Sequence, residues 1–438
     1  MHKVVIVGGG FAGIRAAKGL AHLPVAVTII DRKNHHTFQP LLYQVATATL
    51  PPSSIAQPIR VILQNQKNTT ILLEEVVAID VTQKQVRLSN SSVVPYDYLI
   101  IASGASHSYF GHPEWEEFAP GLKTIEDALQ IRRRVLLAFE KAEAEMAKSN
   151  THQPLNFVII GAGPTGVELA GAIADTCRLY LPKEYRHINT KTARIILLEA
   201  LPNVLGAYPE DLSASAVKQL KECGVEVMTN TKVLDIHESV VMTSAGKLDA
   251  AVIVWAAGVQ ASPLGKLIGA TLDRRGCVLV DEYLNPPGHK EIFVCGDLAH
   301  VEEHGRQIPG VAQSAMQMGT YCAQTIESDL HKNSRRAFTY KDKGDMATIG
   351  RMRAIANIKW PFRAHASGTL AWLSWLLIHI FFLNGLRSRF LVFWEWAWTL
   401  FSTQRGAQII TDMKIIEASQ PVTITAPHIK DAVELKNE

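Results

Sequence analysis

Two stretches of the chain share one pattern. Lys3 to Leu20 reads KVVIVGGGFAGIRAAKGL, and Asn156 to Ala174 reads NFVIIGAGPTGVELAGAIA. Each opens with a continuous apolar, β-branched run, the mark of a strand covered on both faces. Each then turns through glycines into a segment with small and apolar residues at i, i+3 and i+4, which predicts a helix. Five more apolar runs predict buried strands: 25–31, 98–104, 194–199, 252–258 and 291–297. Residues 125–148 place apolar side chains on one face and charges on the other, a long amphipathic helix. Strands alternating with helices predict an α/β fold with parallel sheets. A length of 438 residues exceeds one core, so two or three domains are expected. The pattern breaks at SNTHQP (149–154), NPPGH (285–289) and the turn near 334–336.

The two glycine turns carry the first candidate chemistry. Gly8, Gly10 and Gly13 match GxGxxG, as do Gly161, Gly163 and Gly166. The first glycine makes the turn, the second admits a pyrophosphate to the backbone, and the third packs helix on strand. Free N–H groups at the helix start then favour the negative charge. An acid should close the next strand. Asp31 and Glu199 stand there, with the crossover before Glu199 longer than usual. No Lys or Arg follows Glu199 before Lys218, which favours a free ribose 2′-hydroxyl and so NADH over NADPH. Two dinucleotides in one chain point to a flavin beside a nicotinamide.

Hydrophobic residues at 47% and charged residues at 19% exclude disorder and fibrous repeats. Charge changes the picture at the C-terminal end. Residues 351–411 hold seven Lys or Arg, one acid and six of the eight Trp, a net of +6 against −3 elsewhere. That split points to a membrane surface and away from nucleic acid. Within it, 368–386 has no charged side chain. Three readings stand: a transmembrane helix, two helices lying in the interface, or buried core helices. The second segment, 389–401, is too short to return across a bilayer, which favours the interface. The five cysteines are widely spaced with no CxxC, so neither a disulfide framework nor a metal site is expected. Met1-His2-Lys3 runs straight into VVIVGGG, leaving no room for a leader, and a reducing compartment is expected.

With GGGFAG, TFQPLLYQVATATL, YDYLIIASGA, GAGPTGVELAGAIAD, VIVWAAGV, IFVCGDLAH, VAQSAMQMG and AWLSWLLIH in this order, the chain resembles the type II NADH dehydrogenases, non-pumping NADH:quinone oxidoreductases. The resemblance spans about residues 3–411. It implies FAD on the first fingerprint (Gly8, Gly9, Gly10, Phe11, Ala12, Gly13, Asp31), with Ala46, Val77, Ser103, Gly104, Gly296 and Asp297 near it. It implies NADH on Gly161, Gly163, Pro164, Thr165, Gly166 and Glu199, with Ala257 and Gly258 admitting the nicotinamide. Glu168 would work beside the flavin, and Ala312, Gln313 and Gln317 would line the quinone pocket; Gln313 and Gln317, four apart, share one helix face. His379 and Asn384 border its entrance or lie in the core. The implied division is an FAD-binding domain at 1–115 and 287–335, an NADH-binding domain at 116–286, a membrane-anchoring region at 336–411 and a polar tail at 412–438. A homodimer on the cytoplasmic face of a bacterial inner membrane is implied as well, monotopic or peripheral, seated on anionic lipid.

Plainer readings stand beside these. Glu168 can complement a helix dipole, Asp297 can cap a turn, and the glutamines can face solvent. A sulfide:quinone oxidoreductase-like enzyme and a slow NADH-binding flavoprotein sensor are the competing functions.

Overall fold

The computed structural model describes residues 1–402 and 405–410; the polar tail expected at 412–438 lies outside them. The chain opens with β1 (His2–Val7), α1 (Phe11–Gly19) and β2 (Val25–Asp31), then α2 (Leu42–Ala46), β3 (Thr69–Leu73) and β4 (Tyr98–Ile101). Helix α3 (Ile125–Ser149) leads to β5 (Asn156–Ile160), α4 (Pro164–Asp175), β6 (Arg194–Leu198), β7 (Val225–Met228), β8 (Val252–Trp255) and β9 (Ile292–Val294). Helix α5 (Ala312–Leu330) precedes β10 (Gly344–Gly350), β11 (Arg353–Ile358) and β12 (Ala364–Ser367). Helices α6 (Gly368–Phe382) and α7 (Leu386–Phe401) follow.

Two parallel sheets organise the molecule. The first has strand order β9-β4-β1-β2-β3 and the second β7-β6-β5-β8. Strand β9 pairs with β4 after the whole second sheet has intervened, so the second unit is an insertion in the first. Each predicted strand is present, 25–31 at full length and the others somewhat shorter at their C-terminal ends. Pairing continues for one residue, as where Ala102 N donates to Val7 O and Ala256 N to Ile160 O, and the chain then peels off beneath a glycine turn. Helix α3 starts on a capping box, with Thr124 Oγ1 accepting from Asp127 N and the Asp127 carboxylate accepting from Thr124 N.

Residues 344–367 form a third, antiparallel sheet, β10-β11-β12, which composition alone had merged with the helical C-terminal stretch. It lies on α4 at close range. A Cβ on Gly171 would stand 2.1 Å from Ile349 O, so only glycine lets β10 rest there. Gly319 does the same between α5 and α1, where a Cβ would meet Ala12 O at 2.1 Å.

The transmembrane reading falls. The apolar run 368–386 is helical only over the 15 residues of α6, roughly 22 Å, against a hydrocarbon core of about 30 Å. Among the described residues no helix is long and apolar enough to cross a membrane. The basic patch is also less free than its charge suggests. Arg405 is buried, donating to Thr47 O and Thr176 Oγ1; Arg351 donates to Leu400 O, and Arg353 pairs with Glu222. Lys359 pairs with Asp342, and Arg389 donates to Leu383 O. Arg363 and Arg387 are exposed.

Gly171→Ala should force β10 off α4. We expect a loss of about 1–3 kcal/mol, measured as the midpoint shift in chemical denaturation of the flavin-loaded protein.

Candidate active site

The two glycine turns repeat each other bond for bond. Gly8 N donates to Ile30 O, and Gly161 N donates to Leu198 O, both at 2.8 Å. Gly8 and Gly161 have φ of +105° and +100°, and a Cβ on either would strike the neighbouring strand's backbone. A Cβ on Gly13 or Gly166 would lie 1.9 Å from the carbonyl oxygen of Gly8 or Gly161, so each helix starts hard against its turn. Gly10 and Gly163 face open space instead. Neither helix start has a side-chain cap, which leaves its N–H groups free for an anion.

The acids repeat as well. Asp31 accepts from Gly9 N and Lys33 N, and Glu199 from Ala162 N and Leu201 N. Each carboxylate oxygen keeps lone pairs for a ribose hydroxyl. Ser103 Oγ is buried beside the first turn without a partner, and Gly104 at φ +70° faces open space. These features fit a dinucleotide at each turn.

One cavity of about 1210 Å³ joins the two units. It brings together Phe11, Pro164, Thr165, Glu168, Asp297, Ala312, Gln313 and Gln317 with Ile358, Leu377, Ile378, His379 and Phe382. Gly296 (φ +73°) sits behind this wall, between Ala12 and Ala315. Ala46 is fully buried at the end of α2. Val77 is exposed on the strand Val76–Asp80 and does not line the cavity. Ala257 packs against Gly161, and Gly258 (φ +97°) lies under the ring of Phe110.

Asp297 is half-buried and accepts from Lys123 Nζ at 3.2 Å; it makes an ion pair rather than capping a helix. The glutamines are engaged with backbone. Gln313 donates to Gly344 O and accepts from Lys343 N; Gln317 donates to Lys341 O and accepts from Lys341 N. Together they stitch the 341–344 segment along α5 and so set the cavity wall. His379 stacks on Trp375 at 4.0 Å, and its Nδ1 bonds Trp375 O, leaving Nε2 as the acceptor of the neutral ring. Burial pushes its pKa down to about 4. His379 is thus half-buried against Trp375 and part of the cavity wall. Asn384 lies half-buried between α6 and α7.

Glu168 is the most perturbed carboxyl in the cavity. Its hydrogen bond from Thr348 N, at 3.4 Å, is long, and burial raises its pKa from 4.5 to about 8. A helix-start glutamate complementing a dipole would be exposed and ionised, which this one is not.

Lys123, Tyr43, Thr348 and Lys343 are site residues that sequence reasoning missed. Lys123 and Asp297 are 174 residues apart and Tyr43 and Thr348 are 305 apart, so no local pattern marks them. The cysteines hold a second surprise. Cys295 and Cys322 meet in the first unit's core, where burial and the neighbouring thiol hold Cys322 far above its usual range. A thiol kept protonated is no exchange centre.

The model for the pyridine nucleotide-disulphide oxidoreductases matches residues 2–319, which places the chain in that class. Ndh of Mycobacterium tuberculosis, a type II NADH:quinone oxidoreductase, is 42% identical over 428 residues, covering 94% of this chain and 91% of that one. The chain belongs to the type II NADH:quinone oxidoreductases. Its fold is similar to that of NDH2 from Plasmodium falciparum in complex with NADH, with a TM-score of 0.83, 21% identity, and 94% and 100% of the two chains covered. The sulfide:quinone oxidoreductase of Aquifex aeolicus shares the fold at a TM-score of 0.71 and 19% identity, over 92% and 96%.

A carboxyl whose pKa is raised by folding contributes stability that is full below its unfolded value and is lost as pH climbs toward the folded one. Glu168→Gln should therefore melt at a higher temperature than the parent at about pH 9, by several degrees, and at nearly the same temperature at about pH 4. Paired thermal melts across that range check it.

Proposed function

We propose that this enzyme oxidises NADH and reduces a membrane quinone to quinol, with FAD held on the first glycine turn and NADH on the second. The observation that carries the reading is the shared cavity. Residues beside both turns and the apolar face of α6 meet in one space, so a hydride donor and a lipid-soluble acceptor can reach the same cofactor. When bound, FAD supplies hydride acceptance and electron delivery to a second substrate.

The chain's own residues align and protonate. Gly8, Gly9, Gly10, Phe11, Ala12, Gly13 and Asp31 hold the ADP half of FAD, and Ala46, Ser103, Gly104, Gly296 and Asp297 flank the rest. Gly161, Gly163, Pro164, Thr165, Gly166 and Glu199 hold NADH. Ala257 and Gly258 admit the nicotinamide once the exposed Phe110 ring turns aside. Ala312, Gln313 and Gln317 form the wall against which the quinone lies. Quinol formation takes two electrons and two protons, and Glu168, neutral near pH 7, is placed to give one of the protons.

Membrane seating falls to α6 and α7. Leu370, Leu377, Phe381, Leu386, Phe390 and Phe401 are exposed, an apolar surface too large for a free water-facing helix pair. With both protons taken up on the side where the chain sits, turnover moves no charge across the bilayer. A bacterial inner membrane, entered from its cytoplasmic face, is the proposed setting.

Anaerobic stopped-flow measurement tests the chemistry. NADH should bleach the flavin rapidly, NADPH at least tenfold more slowly, and added quinone should restore the oxidised spectrum within the turnover time. Restoration much slower than turnover would favour the sensor, and equal NADPH reduction would remove the role given to Glu199. Membrane washing tests the seating: detergent should release the enzyme and high salt should leave most of it bound. Full release by salt would make the attachment purely electrostatic.

A further inference from the structure

A line of buried hydrogen bonds runs from α7 to Glu168. Trp396 Nε1 donates to Gln44 Oε1 at 2.7 Å, and Gln44 Nε2 donates to the Tyr43 hydroxyl at 2.9 Å. That hydroxyl meets Thr348 Oγ1 at 2.8 Å, and Thr348 N reaches Glu168 Oε1. Trp396, Gln44, Tyr43 and Thr348 are all buried.

The direction of the side-chain bonds is set from the tryptophan end. An indole N–H only donates, so Gln44 must turn its oxygen to Trp396 and its NH₂ to Tyr43. The Tyr43 oxygen then accepts, and its own proton is left for Thr348. Neither an indole nor a carboxamide relays protons by exchange, so this line orients groups and does not conduct.

Its two ends face different surroundings. On α7, Trp396 points inward while Phe390, Phe393 and Trp394 are exposed. Among the described residues no cation compensates the Glu168 carboxyl: its proton affinity answers to burial and to the Thr348 N–H. Tyr43 from α2 and Tyr208 sense its charge, and burial keeps both neutral. Asp175 lies on the same helix, Asp345 on β10, and Lys343 and the neutral His379 share the cavity.

We propose that Tyr43, Gln44, Thr348 and Trp396 are positioning residues, a polar strut by which the seating of α7 holds the Glu168 carboxyl beside the quinone cavity and sets its protonation. This rests on the proposed role of Glu168 in quinone reduction. Cutting the strut at Trp396 leaves Gln44 Oε1 buried and unpaired, frees the amide to turn, and loosens β10 at Thr348. The bond that favours the anion weakens, so Glu168 holds its proton to higher pH.

Infrared titration of the FAD-loaded full chain reads this directly, with the Glu168 carboxyl band assigned by its loss in Glu168→Gln. Trp396→Phe and Tyr43→Phe should each raise the midpoint by roughly half a pH unit or more. Trp375→Phe is the packing control. Trp375 is equally buried and packs on Tyr43 and Trp396 at 6.4 and 5.5 Å, but its Nε1 has no partner. It should leave the midpoint in place. In stopped flow, the pH limb of the quinone step should move with the infrared midpoint, while flavin reduction by NADH keeps its pH dependence. Unmoved midpoints in both strut variants, or an equal shift in Trp375→Phe, would overturn the strut. A shifted infrared midpoint with an unmoved quinone limb would overturn instead the link from Glu168 to quinone reduction.

Discussion

The contact between Gly171 and the Ile349 carbonyl governs the site. A missing side chain on α4 lets β10 lie directly on the helix, one turn from Glu168. That contact helps to bury the carboxyl and brings Thr348 within reach of it, and among the described residues no cation is set against it. The perturbed acid therefore follows from a backbone approach, not from a charged neighbour. The same approach fixes everything downstream. Strands β10, β11 and β12 continue through Ser367 into α6, so the cavity's apolar wall and α7 take their places from how the sheet lies on α4.

What could be read from the sequence was what is local in it. The glycine turns, their acids, the buried strands and α3 each depend on residues within one strand-turn-helix unit, where spacing mirrors geometry. The return of β9 was legible only as a motif in order. The sheet 344–367 was missed because composition was weighed there over period: Arg351 and Arg353 drew attention as charges, yet they sit where β10 meets β11 and bond protein groups. The links Lys123 to Asp297 and Tyr43 to Thr348 join distant segments and leave no local trace. The glutamines came from the motif that carries the resemblance, and their spacing only put them on one helix face; their partners are backbone groups, which no sequence displays.

The paired turns show how one backbone device serves two ligands. Both glycine triads make the same bonds and both acids accept from the same two backbone positions. What differs is the second layer. The first turn is backed by α5, with Gly319 against Ala12, and the second by β10, with Gly171 against Ile349. Each turn is pressed toward the shared cavity by an element that also carries cavity residues, Gln313 and Gln317 in one case and Met346 in the other.

The return of β9 to β4 has a consequence for how the chain comes off the ribosome. Strand β4 ends at Ile101, and its outer partner begins only at Ile292, with α5 later still. The parallel sheet of the second unit has all its strands between residues 156 and 255 and can pair as soon as they emerge, although β10 covers α4 only later. Until β9 arrives, the first sheet waits with β4 as an open edge, a template for wrong pairings. The nascent chain thus completes its inner parallel sheet before its outer one. A premature stop after the second unit would release that edge unprotected.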